Sequence, residues 1–195
     1  MAGTEQLPLP IKVGYKPTNA PFVFFKIAGR ASAFIVDTGT PFTSVNRRCV
    51  ESWGLADAIQ PCDDKYYDGV VFADIIYDSD LCCPEPGDYT ACCTIAKNFC
   101  FYIRKCAHNL LGLDFLMGTR SDLNLDINKP TLCIYQLAKP VTRDFALMMD
   151  TSINGMNTVT VADTGFCDFL SITEEERKSL GLQTEELEET YPYES

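Results

Sequence analysis

Ala33-Phe34-Ile35-Val36-Asp37-Thr38-Gly39-Thr40 decides the fold of this chain. Four apolar residues run into an aspartate, and a glycine flanked by two threonines follows at once. A short apolar run of this kind reads as a buried strand, and the polar triplet after it as a loop at the strand's end. Upstream, Phe22–Ile27 reads as a strand, and Ala28-Gly29-Arg30 as the tight turn that pairs it with Ala33–Val36. Downstream, Phe42–Val45 reads as a third strand. Asn46 is then an N-cap for a short helix over Arg47–Trp53, and Gly54 is its stop.

The same reading extends along the rest of the chain. Residues 1–20 carry Pro8, Pro10 and Pro17 and form an extended lead-in, with an edge strand at Ile11–Val13. Val70–Tyr77 is a strand, Leu81–Asp88 a Pro- and Gly-containing loop, and Tyr89–Ile103 one or two strands more. Asn109–Leu116 is a dense apolar stretch with a single glycine. Leu123–Ile127 and Leu132–Leu137 flank the turn Asn128-Lys129-Pro130 as a hairpin. Many short strands with one or two short helices give a mostly-β domain over residues 21–140.

Residues 141–182 repeat the first layout in part. After a linker or extra helix over 138–150, Asn157–Val161 is a strand and leads into Asp163-Thr164-Gly165. Phe169–Ile172 can be a strand. Thr173 and Glu176 make a capping box for a helix over Glu174–Leu180, which Gly181 stops. Asp37 precedes Gly54 by almost the same separation as Asp163 precedes Gly181, which marks an internal repeat. Residues 183–195 form a glutamate-rich tail, expected to be solvated.

Composition narrows the function. The formal charge is −11, from 27 acidic and 16 basic residues, and the basic residues cluster only as the pairs Arg47-Arg48 and Arg104-Lys105. Phosphate recognition needs more clustered cations than that, so no nucleic-acid partner is expected. No apolar run approaches the ~20 residues of a spanning helix, so no membrane attachment is expected. Met1–Gln6 has neither the basic region nor the apolar core of a secretory signal, which gives the expectation of a cytoplasmic protein. Ten cysteines admit a zinc cluster helped by His108, disulfides, or buried and surface thiols. Zinc-knuckle spacing is absent, so structural thiols are preferred and no metal or other cofactor is expected.

Asp37-Thr38-Gly39 by itself also fits an ordinary turn, because Asp and Gly favour turns. Its context points further. It follows an apolar strand, it precedes a small polar residue and a second strand, and Asn109-Leu110-Leu111-Gly112-Leu113-Asp114-Phe115-Leu116 comes later, followed by the 123–137 hairpin. In these motifs residues 20–137 resemble the retroviral and retroviral-like aspartic proteases, including the DNA-damage-inducible group. The resemblance implies a retropepsin-like closed β-barrel lobe, with residues 141–182 a partial second copy. It implies an aspartic endopeptidase with Asp37 as a catalytic carboxylate. Two such carboxylates share one proton across a water, because like charges so close cannot both ionise easily. One acts as general base on the water, and the other polarises the scissile carbonyl. In this scheme Gly39 lets its N–H approach the carboxylate. Thr38 hydrogen-bonds to the partner loop, and Thr40 gives a hydroxyl to the outer oxygen of Asp37.

One lobe supplies one aspartate. The second comes either from Asp37 of another copy in a two-fold homodimer, as in retroviral enzymes, or from Asp163 of the same chain, supported by Thr164 and Gly165. Few residues follow Asp163, and Phe166 stands where the first copy has Thr40, so the homodimer through Asp37 is the preferred expectation. A decayed repeat, or a second lobe continuing in a longer parent, are alternatives. A substrate-covering flap is expected near residues 60–80, with Tyr66, Tyr67 and Gly69 as its candidates. Only one glycine is available where the family tip is glycine-rich. Asp114 is expected to be hydrogen-bonded near a helix start, Trp53 to pack in the core, and His108 to be incidental. The expected partner is a peptide or protein substrate. A retropepsin-like binding or dimerisation module without turnover, and a zinc-binding protein, are the competing readings.

Overall fold

The computed structural model describes residues 7–15, 20–79, 92–126, 128–141, 146–165 and 172–183. The expected loop at 81–88 and most of the expected strand at 169–172 lie outside them. By contacts the chain divides into two units: residues 1–147 with 161–167, and residues 148–160 with 168–195. The loop that carries Asp163 therefore clusters with the first lobe and not with the rest of its own repeat.

In the first unit the lead-in is more ordered than expected. It forms β1 (Leu9–Lys12) and β2 (Gly14–Tyr15). β3 (Pro21–Ile27) alternates strictly, with Val23, Phe25 and Ile27 inside and Phe22, Phe24 and Lys26 partly exposed. This is the period of a strand with one face on a core. β4 (Arg30–Val36) pairs with it antiparallel across a turn in which Ala28 (φ 46°) and Gly29 (φ 78°) both take positive φ. Such a turn matches the twist of the two strands.

Beyond the Asp37 loop come β5 (Ser44–Val45), α1 (Arg47–Ser52), β6 (Gly69–Asp78), β7 (Cys92–Ile103), β8 (Leu110–Leu111) and α2 (Leu113–Gly118). Hydrogen bonding runs β3-β4-β8-β5-β7-β6, and β6 returns to β3 through Lys26–Ile76 and Ile27–Ile75. Six strands thus close into a barrel, which leaves no open edge among them. Phe25, Phe34, Phe101 and Phe115 fill its interior, with ring centroids 5.5–6.1 Å apart along the series Phe101–Phe34–Phe25–Phe115. Trp53 packs on Phe101 as expected, and its indole N–H reaches the Ser32 hydroxyl at 2.8 Å.

A second sheet joins β1, β10 (Thr131–Ile134) and β9 (Asp122–Asn124), and buries Ile11, Leu132 and Ile134. Its strands are shorter than the sequence suggested. β10 stops at Ile134 because the amides of Tyr135 and Gln136 both donate to the Thr119 carbonyl. β9 stops at Asn124 because its side chain accepts from the Asp126 amide and starts a turn.

In the second unit β11 (Met148–Ile153) and β12 (Met156–Val161) pair as a ribbon, and α3 (Glu174–Ser179) carries the expected Thr173–Glu176 capping box. β11 occupies part of the stretch read as a linker or helix. The repeat is therefore longer than the sequence showed. The turn Asn154 (φ 52°)-Gly155 (φ 78°) has the conformation of Ala28-Gly29, and Gly181 (φ 63°) ends α3 as Gly54 (φ 75°) ends α1. No helix among the described residues is long and apolar enough to cross a membrane.

Candidate active site

Asp37 sits where β4 leaves the barrel. Its amide donates to the Leu111 carbonyl, extending the parallel β4–β8 pairing of Ile35 with Leu110 and Val36 with Leu111. The residue is only 8% exposed. The Gly39 amide donates to Asp37 Oδ1 at 2.9 Å, as expected of a glycine at that position. Asp163 has the matching arrangement, with the Gly165 amide 2.9 Å from Asp163 Oδ1.

The two loops face each other. A side chain on Gly165 would place its Cβ 2.6 Å from the Asp37 carboxyl carbon, and one on Gly39 would overlap the Asp163 carboxylate. Each glycine is thus required by the carboxylate of the opposite loop. The two carboxylates are close enough for Asp163 to act on Asp37. The threonines lock the loops reciprocally. Thr38 N donates to Thr164 Oγ1 (3.2 Å), and Thr164 N donates to Thr38 Oγ1 (3.1 Å). Thr38 Oγ1 in turn donates to the Ala162 carbonyl and Thr164 Oγ1 to the Val36 carbonyl, both at 2.6 Å. Each hydroxyl therefore accepts one bond and donates another, which uses its full capacity as donor and half its capacity as acceptor.

This pairing brings Asp37 to Asp163, the second of the two sources expected for the opposing aspartate. The place that another copy's Asp37 loop would take is filled by Asp163-Thr164-Gly165 of the same chain. The expectation of a homodimer rests on the few residues that follow Asp163, which bear on a complete lobe. The loop pairing needs only the hairpin before Asp163 and the triplet itself.

Burial raises the Asp37 pKa to about 6, and the neighbouring Asp163 charge and hydrogen bond push the same way. The Gly39 amide and the Arg104 guanidinium oppose the rise. Arg104, half of a basic pair that carried no role in the sequence reading, is thus a cation acting on Asp37. It follows β7 directly, with its amide on the Val45 carbonyl.

The loop rests on a buried polar group. Asp114 Oδ1 accepts from Thr43 N (2.8 Å), Thr43 Oγ1 (2.7 Å) and Phe115 N (2.7 Å), so it has the structural role expected of it. Burial raises its pKa to about 6 against the pull of these donors. Thr43 Oγ1 also accepts from the Gly112 amide (3.0 Å). A Cβ on Gly112 would stand 2.6 Å from the Phe42 backbone. Thr43 carries no signal in the sequence, because it reads as one more strand residue. Its amide is taken by Asp114, and the third strand accordingly covers only Ser44–Val45.

Thr40 departs from expectation. It is buried, but its hydroxyl lies 3.5 Å from the Phe42 carbonyl instead of on the outer oxygen of Asp37. Of the flap candidates, Gly69 (φ 153°) begins β6 at a bridge between Gln60 and Val70, and a Cβ there would meet the Gln60 carbonyl at 2.7 Å. Tyr67 packs on Tyr102 and Phe42, with centroids 4.7 and 6.3 Å away, so it anchors the loop. Tyr66 is 72% exposed at the loop's tip, with Lys65 Nζ 4.9 Å from its ring centroid. Cys49, Cys62, Cys92, Cys100, Cys106 and Cys133 are thiols. Among the described residues no group of three or more His, Cys, Asp or Glu side chains is placed to hold a metal ion.

No protein-family model matches the sequence, and no curated protein matches it. Solved structures do match. One is a retropepsin-like aspartic protease from Rickettsia conorii, with 12% identity over 71% of this chain and 100% of that one, at a TM-score of 0.46.

Proposed function

We propose that the chain is a retropepsin-like aspartic endopeptidase whose catalytic pair is intrachain, Asp37 with Asp163. The observation that carries this reading is the reciprocal fit of Asp37-Thr38-Gly39 and Asp163-Thr164-Gly165, in which each glycine makes room for the opposite carboxylate. Two carboxylates that face each other closely share one proton and can activate a water between them. Its titration belongs to the pair as a whole. The substrate would be an extended peptide, and the Tyr66 loop would cover it.

A mixed peptide library assayed from acidic to neutral pH tests the proposal. The wild-type chain is expected to cleave with activity per chain independent of protein concentration, and both Asp37→Ala and Asp163→Ala are expected to abolish cleavage. Full activity in Asp163→Ala, or activity that rises with the square of concentration, would return the reading to a homodimer. A second reading, a binding module of the same fold without turnover, draws on the exposure of Asp163 and the short loop over residues 61–69. Absence of wild-type cleavage at every pH would favour it.

A further inference from the structure

Ile103 and Arg104 lie at a junction of three segments. Ile103 pairs with Val45 of β5, the strand that follows the Asp37 loop, and with Gly69, which begins β6. The Arg104 amide donates to the Val45 carbonyl at 3.0 Å, and the Asp68 amide donates to the Ile103 carbonyl at 2.7 Å. Arg104 therefore stands between the strand that leaves the Asp37 loop and the root of the loop that carries Tyr66. Alternation along β7 sends Phe101 and Ile103 into the barrel, where both are fully buried, and leaves Tyr102 and Arg104 partly exposed on the other face. On that face Tyr102 stacks on Phe42, just past the Asp37 triplet, with ring centroids 4.5 Å apart.

The guanidinium at this junction has no fixed partner. The cations that make ion pairs among the described residues are Lys26, Arg47, Arg177 and Lys178. Arg104 is not one of them, and no hydrogen bond among the described residues engages its side chain. Asp68 stands beside it in the backbone pairing, yet is exposed and is not its ion-pair partner. Its charge is nonetheless felt at the Asp37 carboxylate. Such an effect is strong only within about a Debye length, ~10 Å, which is about three residues of extended peptide. A half-buried arginine offers five N–H donors in a planar fork, and an anion docked there is held by charge-assisted, bidentate bonds.

Resting on the endopeptidase reading above, we infer that Arg104 is a specificity-determining residue that takes an acidic side chain of the substrate, an Asp or Glu within about three residues of the scissile bond. The preference is local. At a formal charge of −11 the chain as a whole repels an acidic peptide at long range, so a single guanidinium must supply the attraction. An ion pair made alike in the ground and transition states lowers KM and leaves kcat unchanged.

Matched peptides with Glu, Gln or Lys at each position around one scissile bond test the assignment. The wild-type chain should cleave the best Glu peptide with a kcat/KM about 10- to 100-fold above that of its Gln counterpart, the usual worth of a charged hydrogen bond, and the difference should lie in KM. Because Arg104 also acts on Asp37, each variant is compared through the ratio between its own two peptides. That ratio should fall to near unity in Arg104→Gln, persist in part in Arg104→Lys, and turn toward the Lys peptide in Arg104→Glu. Equal cleavage of Glu and Gln peptides by the wild type, or an unchanged ratio in Arg104→Gln, would overturn the inference and leave the proposed function standing. Binding of the same peptides with a reduced, uncleavable scissile bond reads the arginine without turnover. If the wild type cleaves nothing but binds the Glu form more tightly, and Arg104→Gln loses that difference, the proposed function falls and the role of Arg104 holds; without cleavage, equal binding of the two forms overturns both.

Discussion

Thr164→Val is expected to disable the site while leaving the barrel intact. Valine has nearly the shape of threonine, so the change removes a hydroxyl and little else. Two hydrogen bonds go with it: the 2.6 Å donation to the Val36 carbonyl and the 3.2 Å acceptance from the Thr38 amide. Each bond contributes about 1 kcal/mol net, and the partly buried carbonyl and amide left behind add a desolvation cost, for a total of about 2–3 kcal/mol. That energy holds the Asp163 loop against the Asp37 loop, so its loss lowers the population of the paired site. Cleavage should fall by about 30- to 150-fold in kcat/KM. Amide hydrogen exchange at Thr38 should quicken, while exchange in β3, β4 and β7 should not change. Thr38→Val removes the mirror-image pair of bonds, and the double variant should lose less than the sum of the two single losses, because the bonds belong to one network. Wild-type activity and Thr38 exchange in Thr164→Val, together with loss in Thr38→Val, would refute the intrachain pairing. Thr38 would then be paired with another copy of itself.

Gly165→Ala should cut kcat by about 10²-fold or more, because its methyl would stand 2.6 Å from the Asp37 carboxyl carbon and shift the pair; unaltered kinetics would show that this loop does not face Asp37. Asp37→Asn should stabilise the fold at neutral pH. The folded pKa of about 6 lies above the ordinary 3.8, so the contribution of Asp37 is fully present below about pH 4 and is lost as pH rises through about 6. The difference is at most about 3 kcal/mol and is reduced by solvent screening. Urea melts of the two proteins should coincide at pH 3.5 and diverge by pH 7, and a constant offset would contradict the burial of this charge. Gly69→Ala, at φ 153° and 2.7 Å from the Gln60 carbonyl, should cost about 1–3 kcal/mol, or about 2–4 °C of Tm per kcal/mol; an unchanged melting curve would mean the Gln60–Val70 bridge does not form.

The strand before Asp37, the turn at Ala28-Gly29, and the capping of α1 and α3 were legible because each depends on neighbours in sequence. Alternation, a positive-φ glycine and an Asn or Thr cap are local signals. The closure of the barrel from β6 back to β3 was not legible, because it joins residues far apart in sequence. The pairing of the two triplets was half legible. The repeat was visible in Asp163-Thr164-Gly165 and Gly181, but β11 was hidden, since Met148-Met149-Asp150-Thr151-Ser152 has neither alternation nor a β-branched run. The expectation of a homodimer rested instead on the few residues after Asp163 and on Phe166 in place of Thr40, which bear on a complete lobe and not on the hairpin before the triplet. Thr43 and Gly112 were missed for a related reason, since their value lies in reaching Asp114 and Phe42 across the fold.

The comparison of the two copies shows how little of a lobe an opposing aspartate requires. In the first copy Val23, Phe25, Phe34 and Val36 point into a closed barrel. Counting back from the aspartate, Met149, Thr151, Thr160 and Ala162 stand at these positions in the second copy, and none of them is buried. These four positions supply no buried apolar volume of the kind that fills the first barrel. The features that aim a carboxylate are retained: the two-residue turn, the ribbon, the threonine that locks the loops and the glycine that lets them approach. Aiming depends on the four threonine bonds and the two glycines, which lie within the loops, whereas enclosure depends on a core. A copy that keeps the first and lacks the second can place an aspartate without burying it, and that separation is what makes Asp163 the better-solvated partner of Asp37.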